Sequence, residues 1–233
     1  MLDQLLSLLP TLITWDTDLF LFLNCHHCQF MDNFMELYSD KWIWIPFYIS
    51  FWWVMFKNYS WKVTLTCLIV ITILITISDQ TTSSLLKPMV ERMRPSNPDN
   101  PLSQMTHIVD GYRGGRFGFP SSHSANAWSL TFFAIYLVRR QILAYMLIIW
   151  SLLMCYSRIY LGVHYPGDVF VGMLIGLINA SIVYYIFQRL RGEYTHVFKP
   201  VAGKMRYAWV PVAMGGLLLT SISISAFLHD FDV

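Results

Sequence analysis

Six apolar runs dominate the sequence and restrict the structures that the chain can form. Of its 233 residues, 55% are hydrophobic and only 13% are charged, whereas soluble domains carry about 25% charged residues. Inside a bilayer each backbone polar group must be paired within its own segment, so an apolar run that crosses lipid is expected to be helical. The sequence therefore predicts an all-α integral membrane bundle of six transmembrane helices, centred on residues 42–56, 63–78, 124–138, 142–156, 169–187 and 207–228.

The N-terminal segment differs from these runs because acids and a proline interrupt it. Residues 1–24 are mostly apolar but contain Asp3, Pro10, Asp16 and Asp18, a pattern that favours a helix lying in the membrane interface. We therefore predict an N-terminal interfacial segment over residues 1–40 and a six-helix domain over residues 41–233.

A short Cys-His-His-Cys sequence, residues 25–28, lies within the N-terminal segment. It could form a metal or redox site, but a structural zinc site needs four ligands, and adjacent histidines rarely face one ion together. We therefore favour a turn between two N-terminal segments. The sequence leaves open whether Cys25 and Cys28 form a disulfide or bind metal.

Basic residues are distributed unevenly between the two ends of the predicted helices. The end opposite the long 83–122 connection holds nine Lys and Arg residues and one acid, Glu193. Because cytoplasmic loops carry an excess of Lys and Arg, we place that end in the cytoplasm, and the 83–122 loop and both termini outside. The nine residues are Lys57, Lys62, Arg139, Arg140, Arg189, Arg191, Lys199, Lys204 and Arg206.

The compact chain suggests a bacterial plasma or inner membrane protein, and the net charge of +2 gives no reason to expect a nucleic acid partner.

Polar residues from four distant segments meet at the predicted outer face. They comprise three cations, two histidines, two hydroxyl groups and one carboxylate. A phosphoryl group in transfer carries negative charge over three oxygens, and its reaction depends mostly on positioning and electrostatic stabilisation, which Lys and Arg supply. The pattern therefore predicts a phosphoryl-transfer site that needs no cofactor and no metal. Its residues are Lys87, Arg94, Ser121, Ser122, His123, Arg158, His164 and Asp168.

The two histidines of this set are placed as expected for catalytic groups. His164 and Asp168 are four residues apart at a predicted helix start, so the carboxylate can hold one ring nitrogen and leave the other free to attack phosphorus. His123 begins another helix and is suited to protonate the departing oxygen as a general acid. Ser121 and Ser122 lie at the same helix start, where unpaired N–H groups favour an anion.

The three stretches that carry these residues resemble the motifs of the type 2 phosphatidic acid phosphatase (PAP2) superfamily. The first motif, Lys-x6-Arg-Pro, matches residues 87–95 fully, and the third, Ser-Arg-x5-His-x3-Asp, matches residues 157–168 fully. The second, Pro-Ser-Gly-His, matches residues 120–123 except that Ser122 replaces Gly. The resemblance, which covers about residues 41–228, implies that His164 forms a phosphohistidine, Asp168 orients it and His123 protonates the leaving group. It also implies that the phosphate is held by Lys87, Arg94, Ser121, Ser122 and Arg158.

The resemblance implies a metal-independent membrane phosphatase whose 83–122 connection is an extracytoplasmic active-site loop. We expect it to hydrolyse a lipid phosphate or pyrophosphate, with undecaprenyl pyrophosphate as first choice because small bacterial members of the family often recycle that carrier. Lipid A phosphate, phosphatidylglycerol phosphate and phosphatidic acid stay open as substrates. Phosphoryl transfer to a second lipid stays open as a reaction, and so does a non-catalytic role in lipid binding or transport.

Three further patterns bear on the surroundings of the site. His107, Arg113 and Arg116 lie in the glycine-rich part of the loop and are possible head-group contacts, although the same pattern fits a flexible, solvated connector. Asp79 is expected to pair with a site cation, because a charge at that depth needs a partner. Small residues recur every fourth position along residues 168–180, which favours either close helix packing or a groove for a lipid chain.

Overall fold

The computed structural model of the protein describes residues 2–191 and 205–229. The described chain is all-helical, as predicted, and its only strand-like feature is an isolated bridge between Met93 and Phe117. Two 3-10 turns, Pro101–Gln104 and Val109–Gly111, lie in the long connection. The α-helices are α1 Leu2–Asn24, α2 Gln29–Ser39, α3 Ile45–Asn58, α4 Trp61–Asp79, α5 Lys87–Val90, α6 Ser122–Val138, α7 Gln141–Tyr160, α8 Pro166–Arg191 and α9 Trp209–His229.

Four segments of the described chain are long and apolar enough to cross a membrane, namely Trp61–Val90, Gln141–Tyr160, Pro166–Leu190 and Trp209–His229. Six were predicted. The other two apolar runs form α3 and α6, which have 14 and 17 residues, whereas a straight crossing takes about 20. The length of α6 is fixed at both ends, by the N-cap Ser121 and by Arg139, whose φ is 52°.

The second apolar run continues further than predicted. A π-helical segment, Gln80–Leu86, and then α5 extend α4 to Val90, and the helix ends at Glu91, whose φ is 52°. The irregular connection therefore begins at residue 91 instead of residue 83. Because of this extension, Lys87 projects from a helix and not from a loop.

Helix α6 lies at the centre of the bundle and packs against α4, α7 and α8. Two glycines of α8 face it. A Cβ atom on Gly172 would lie 2.5 Å from the carbonyl oxygen of Ser121, and one on Gly176 would lie 2.7 Å from that of Ala125. The small residues of α8 therefore allow two helices to approach closely, and at these two positions they do not form a groove for lipid.

The N-terminal helices α1 and α2 pack on the bundle. Phe20 of α1 is completely buried, and its ring centroid lies 5.4 Å from that of Tyr165. The side chain of Asn24 donates to the carbonyl oxygen of Tyr160 at 2.8 Å. Residues 25–28 connect α1 to α2 as the predicted turn, with Cys25 and Cys28 free and exposed.

Part of the predicted topology falls on residues that the structure does not describe. Lys199 and Lys204, which contribute to the cytoplasmic excess of positive charge, lie outside the described residues, and so does Glu193. Met1 and residues 230–233, which carry the predicted outer termini, also lie outside them.

Candidate active site

The eight residues predicted for phosphoryl transfer come from six parts of the chain. α5 carries one, α6 with its cap carries three, α7 and α8 carry one each, and the remaining two lie in the connections that precede α6 and α8. Direct contacts join six of them: Lys87 to Ser122, Arg94 to His164, His164 to Asp168, and the Ser121 N–H to the carbonyl oxygen of Asp168.

His164 and Asp168 form a buried pair, with exposures of 1% and 0%. The Nδ1 atom of His164 lies 3.4 Å from Oδ2 of Asp168, and Nη1 of Arg94 lies 3.4 Å from Nε2 of the same ring. Because arginine can only donate hydrogen bonds, Nε2 must be the acceptor and Nδ1 must carry the proton. The ring is therefore in the tautomer that keeps a lone pair on Nε2.

The surroundings of His164 also favour its neutral form. Burial, followed by the positive charges of Arg94, Arg158 and Lys87, holds the pKa of His164 well below its usual range. Burial disfavours the charged form of an imidazole, and neighbouring cations disfavour it further. At neutral pH the residue can therefore act as a nucleophile without first losing a proton.

Two largely buried guanidinium groups lie close to this ring. Arg94 is 8% exposed and donates to the carbonyl oxygens of Phe117 and Val163 at 3.2 and 3.3 Å. Arg158 is 2% exposed, and its Nη2 lies 3.3 Å from the hydroxyl group of Tyr112. The Nε of Arg158 has no partner among the described residues. A buried cation is costly unless it is paired, so Arg158 is suited to receive an anion.

Ser122, which replaces glycine in the second motif, contacts Lys87 through its side chain. Nζ of Lys87 donates to Oγ of Ser122 at 2.8 Å, and the hydroxyl groups of Thr82 and Ser83 each lie 2.9 Å from the same oxygen. Ser122 is not among the described residues with positive φ, so serine is accommodated without backbone strain. The hydroxyl group of Ser122 therefore contacts Lys87, a contact that glycine at this position of the motif could not make.

His123 faces a cavity of about 500 Å³ between α3, α4, α6 and α7. Unlike His164, it is exposed to this space. Asp79 also lines the cavity, but it forms no ion pair with a cation of the described chain, and its carboxylate accepts from Ser83 at 3.4 Å. The lining is otherwise mainly apolar and includes Trp44, Phe47, Phe51, Ile71, Leu147 and Trp150.

The three predicted head-group contacts differ in how far their side chains already contact other parts of the protein. His107 lies 2.8 Å from Asp32 through Nε2 and stacks on His27 at a centroid distance of 3.8 Å. Arg113 donates from Nη1 to the carbonyl oxygen of Ser96 at 2.6 Å. Arg116 is exposed, and its guanidinium lies 5.3 Å from the ring of Phe117. His107 therefore joins the loop to the N-terminal segment, Arg113 holds two parts of the loop together, and Arg116 is the best placed of the three to meet a ligand.

The loop backbone approaches the site at two glycines. A Cβ atom on Gly118 would lie 3.0 Å from Oδ2 of Asp168 and 3.6 Å from Nδ1 of His164. Gly114 has a φ of 67°, and a Cβ atom there would lie 2.7 Å from Nη1 of Arg94. The glycines of this loop thus let the backbone approach the side chains of Arg94, His164 and Asp168 closely.

The side chains of the site are suited to bind an anion. The cationic nitrogens of Lys87, Arg94 and Arg158 donate hydrogen bonds and do not ligate metals. Within residues 2–191 and 205–229, no group of three or more His, Cys, Asp or Glu side chains could hold a metal ion.

Sequence reasoning missed three side chains of the site. Arg92 donates to Asp168 at 2.8 Å, Asp16 of α1 pairs with Arg92 at 2.7 Å, and Tyr112 contacts Arg158. Arg92 could have been suspected, because a buried carboxylate needs a cation and Arg92 lies within the first motif. Asp16 gave a weaker signal, as one of several acids in an apolar segment.

Binding and transfer of a phosphate group at one end of an apolar helical bundle is the chemistry of membrane phosphatases. The model of the PAP2 superfamily matches residues 64–192, more than half of the chain, and the chain belongs to this superfamily. It is accordingly a membrane phosphatase.

Relatives and solved structures agree with this assignment. The chain is 42% identical to the lipid A 4'-phosphatase of Bacteroides thetaiotaomicron over 218 residues, which cover 92% of this chain and 96% of the relative. It is 35% identical to the lipid A 4'-phosphatase of Porphyromonas gingivalis over 196 residues, with coverages of 83% and 81%. The crystal structure of Aquifex aeolicus LpxE has the same fold, with a TM-score of 0.55 and 24% identity over 72% of this chain and 93% of that one.

Proposed function

We propose that the protein removes the phosphate from the 4' position of lipid A. The observation that carries the reaction is His164, whose Nδ1 faces Asp168 and whose Nε2 keeps its lone pair toward the guanidinium of Arg94. The substrate is supported by two relatives named lipid A 4'-phosphatase, one of which matches this chain over nearly its whole length. These relatives favour lipid A, which the sequence left open, over undecaprenyl pyrophosphate, which the sequence placed first.

In the first step, Nε2 of His164 attacks phosphorus while Arg94, Arg158 and Lys87 stabilise the charge on the phosphoryl oxygens. The N–P bond forms as the P–O bond to the lipid breaks. The departing oxygen takes a proton from His123, which acts as general acid. Asp168 accepts the hydrogen bond from Nδ1 and stabilises the positive charge that develops on the ring.

In the second step, water attacks the phosphohistidine. His123, now neutral, takes a proton from this water as the O–P bond forms and the N–P bond breaks. Inorganic phosphate leaves, His164 is neutral again and His123 is again protonated. No metal takes part in either step, because the three cations and the N–H groups at the start of α6 neutralise the phosphate.

The cavity beside His123 supports an amphipathic substrate. Its mainly apolar lining begins at Ser122 and His123 and extends to Phe47 and Trp150, and pockets of roughly 300–1,000 Å³ are typical of ligand sites. A lipid whose phosphate is at His164 can place apolar chain in this space, whereas a soluble phosphate ester leaves it unused.

We also propose that α3 and α6 complete a six-helix membrane domain over residues 41–233, with the 83–122 region outside a bacterial inner membrane. Helix α6 is surrounded by α4, α7 and α8, and a helix enclosed by protein need not match the lipid thickness. The exposed apolar side chains of α4 and α9, such as Ile69, Ile73 and Leu217, suit contact with lipid tails.

The test is phosphate release by purified protein in detergent with EDTA present. Lipid A, undecaprenyl pyrophosphate, phosphatidylglycerol phosphate and phosphatidic acid are compared, and mass spectrometry identifies which phosphate lipid A has lost. We expect lipid A to give the highest kcat/KM, with loss at the 4' position. His164→Ala should lower the activity by at least about a thousandfold.

A matched control is His26→Ala, since His26 is exposed in the turn that follows α1. Equal phosphate release by wild type and His164→Ala contradicts the catalytic assignment. Higher kcat/KM for undecaprenyl pyrophosphate contradicts the proposed substrate, and loss of activity with EDTA contradicts a metal-free reaction. Appearance of the phosphate on a second lipid, and not in solution, identifies a transferase.

A further inference from the structure

An acid of the N-terminal helix contacts the same arginine as Asp168 does. Oδ2 of Asp16 lies 2.7 Å from Nη2 of Arg92, and its Oδ1 accepts from the backbone N–H of Gly167 at 2.7 Å. Gly167 is the second residue of α8, where backbone N–H groups have no partner within the helix. Asp16 therefore fixes both Arg92 and the start of the helix that carries Asp168.

Arg92 joins this acid to the site. Its Nη1 donates to Oδ1 of Asp168 at 2.8 Å, and its guanidinium carbon lies 3.8 Å from the centroid of the Tyr165 ring. One side of the guanidinium thus faces Asp16 and the other faces Asp168, while the aromatic ring supports its plane. This planar, two-sided geometry is specific to arginine, because lysine offers a single point charge.

Both oxygens of Asp168 are consequently occupied. Oδ1 accepts from Arg92, and Oδ2 accepts from the Tyr165 N–H at 3.0 Å and faces Nδ1 of His164. Among the described residues, Arg92 is the only Lys or Arg in ion-pair contact with Asp168, which is 0% exposed. The orientation of the carboxylate, and through it of His164, therefore depends on Arg92.

We propose that Asp16 and Arg92 are positioning residues that hold Asp168 and His164 in reactive geometry, so that α1 forms part of the catalytic apparatus. This inference rests on the proposed roles of His164 and Asp168. Neither residue reaches the reacting atoms. Asp16 also lies outside the region that matches the superfamily model, which begins at residue 64.

The experiment compares Asp16→Asn, Arg92→Lys and Arg92→Ala with wild type in the lipid phosphatase assay. Asp18→Asn is the matched control, because Asp18 lies on the same helix and is exposed. A misplacement of about 1 Å in a reacting group can lower the rate about a hundredfold, and we expect a loss of about 10–100-fold in kcat for both Arg92 variants. Asp16→Asn should lose about tenfold in kcat. KM should change little, because the phosphate-binding side chains are untouched.

Two measurements separate positioning from a general effect on folding. Millimolar guanidinium should restore part of the kcat of Arg92→Ala without raising that of wild type, because it can occupy the vacated place between the two carboxylates. Asp16→Asn added to Arg92→Ala should cost little more, because both residues act through one network. If Arg92→Ala does not fold, Arg92→Lys and Asp16→Asn still decide the question.

The inference is overturned if Asp16→Asn and Arg92→Lys both fold and keep kcat within about threefold of that of Asp18→Asn. It is also overturned if these two variants lose activity only through a higher KM. His164→Ala, run alongside, keeps the two proposals apart. An active His164→Ala contradicts the proposed function itself. An inactive His164→Ala together with fully active Asp16→Asn and Arg92→Lys contradicts only the positioning role.

Discussion

At the scale of single residues, the environment of His164 sets the acid limit of the pH range in which the proposed reaction can run. In the proposed mechanism the lone pair on Nε2 of His164 attacks phosphorus, and protonation removes this lone pair. Since the pKa of His164 lies well below its usual value of 6.5, owing to burial and to Arg94, Arg158 and Lys87, protonation requires a lower pH than for a free histidine. The catalytic histidine should therefore stay competent in mildly acidic solution.

We accordingly predict that the acid limb of kcat/KM lies below pH 6.5. The same shift makes the folded state bind this proton less readily than the unfolded chain, so stability falls as the pH drops below the usual value. Unfolding midpoints measured in the same buffers separate the two effects. An acid limb at neutral pH, with the protein still folded, would contradict the prediction.

Ser122, the one departure from the second motif, has a side chain that contacts a cation of the site. Its hydroxyl group accepts from Lys87 and lies within hydrogen-bond distance of Thr82 and Ser83. We predict that Ser122→Gly lowers stability, by about 1–3 kcal/mol for the lost buried contacts, and leaves kcat/KM within about threefold, because Lys87 can turn to the phosphate. Thermal unfolding and steady-state kinetics in detergent measure both quantities. A large rise in turnover would mean that the hydroxyl group competes with substrate for Lys87.

At the scale of helices, α6 serves both the site and the cavity. Its first turn carries Ser122 and His123, and Ala127, one turn further along the same face, lines the cavity. Side chains four residues apart on a helix are neighbours. Close packing of α6 against Gly172 and Gly176 of α8 fixes its position, so the orientation of its cavity face is fixed as well.

We predict that Ala127→Trp fills part of the cavity and lowers kcat/KM for a long-chain lipid phosphate by more than about tenfold. A soluble phosphate ester, which needs no apolar cavity, should be hydrolysed at nearly the wild-type rate. The ratio of the two rates, measured on the same preparation, controls for any loss of folded protein. An equal decrease for both substrates would show that the cavity does not receive the lipid chain.

At the scale of the whole molecule, the turn after α1 carries cysteines that can be used to test which side of the membrane the site faces. Cys25 and Cys28 are exposed there, whereas Cys67 and Cys155 are buried. The turn lies at the same end of the bundle as the site, because Cys28 and the nearby Asp32 both contact Tyr160, at the end of α7. The four native cysteines therefore provide a built-in test of orientation.

We predict that a membrane-impermeant maleimide labels Cys25 and Cys28 in cells whose outer membrane is permeable and whose inner membrane is intact. Cys25→Ser with Cys28→Ser should abolish the labelling, because the other two thiols are buried. Labelling that requires opening of the inner membrane would place the site in the cytoplasm and reverse the proposed topology.

The sequence by itself determined the helical class, the membrane location and the reaction family. Long apolar runs leave few possibilities besides helices in lipid, and the spacing from Ser157 to Asp168 brings a histidine and a carboxylate onto one helix end. Residues near one another in the sequence also indicated the cap at Ser121 and the turn at residues 25–28. These features depend on neighbours along the chain, which a sequence displays directly.

Only the tertiary structure decided which distant groups meet. The extension of α4 through a π-helical segment, the hydroxyl contact between Ser122 and Lys87, and the ion pairs of Arg92 with Asp16 and Asp168 all depend on how helices pack. Asp16 and Asp168 lie 152 positions apart in the chain, and no periodicity encodes their shared arginine. Such pairs form because a buried carboxylate must find a cation, and packing alone determines which cation is within reach.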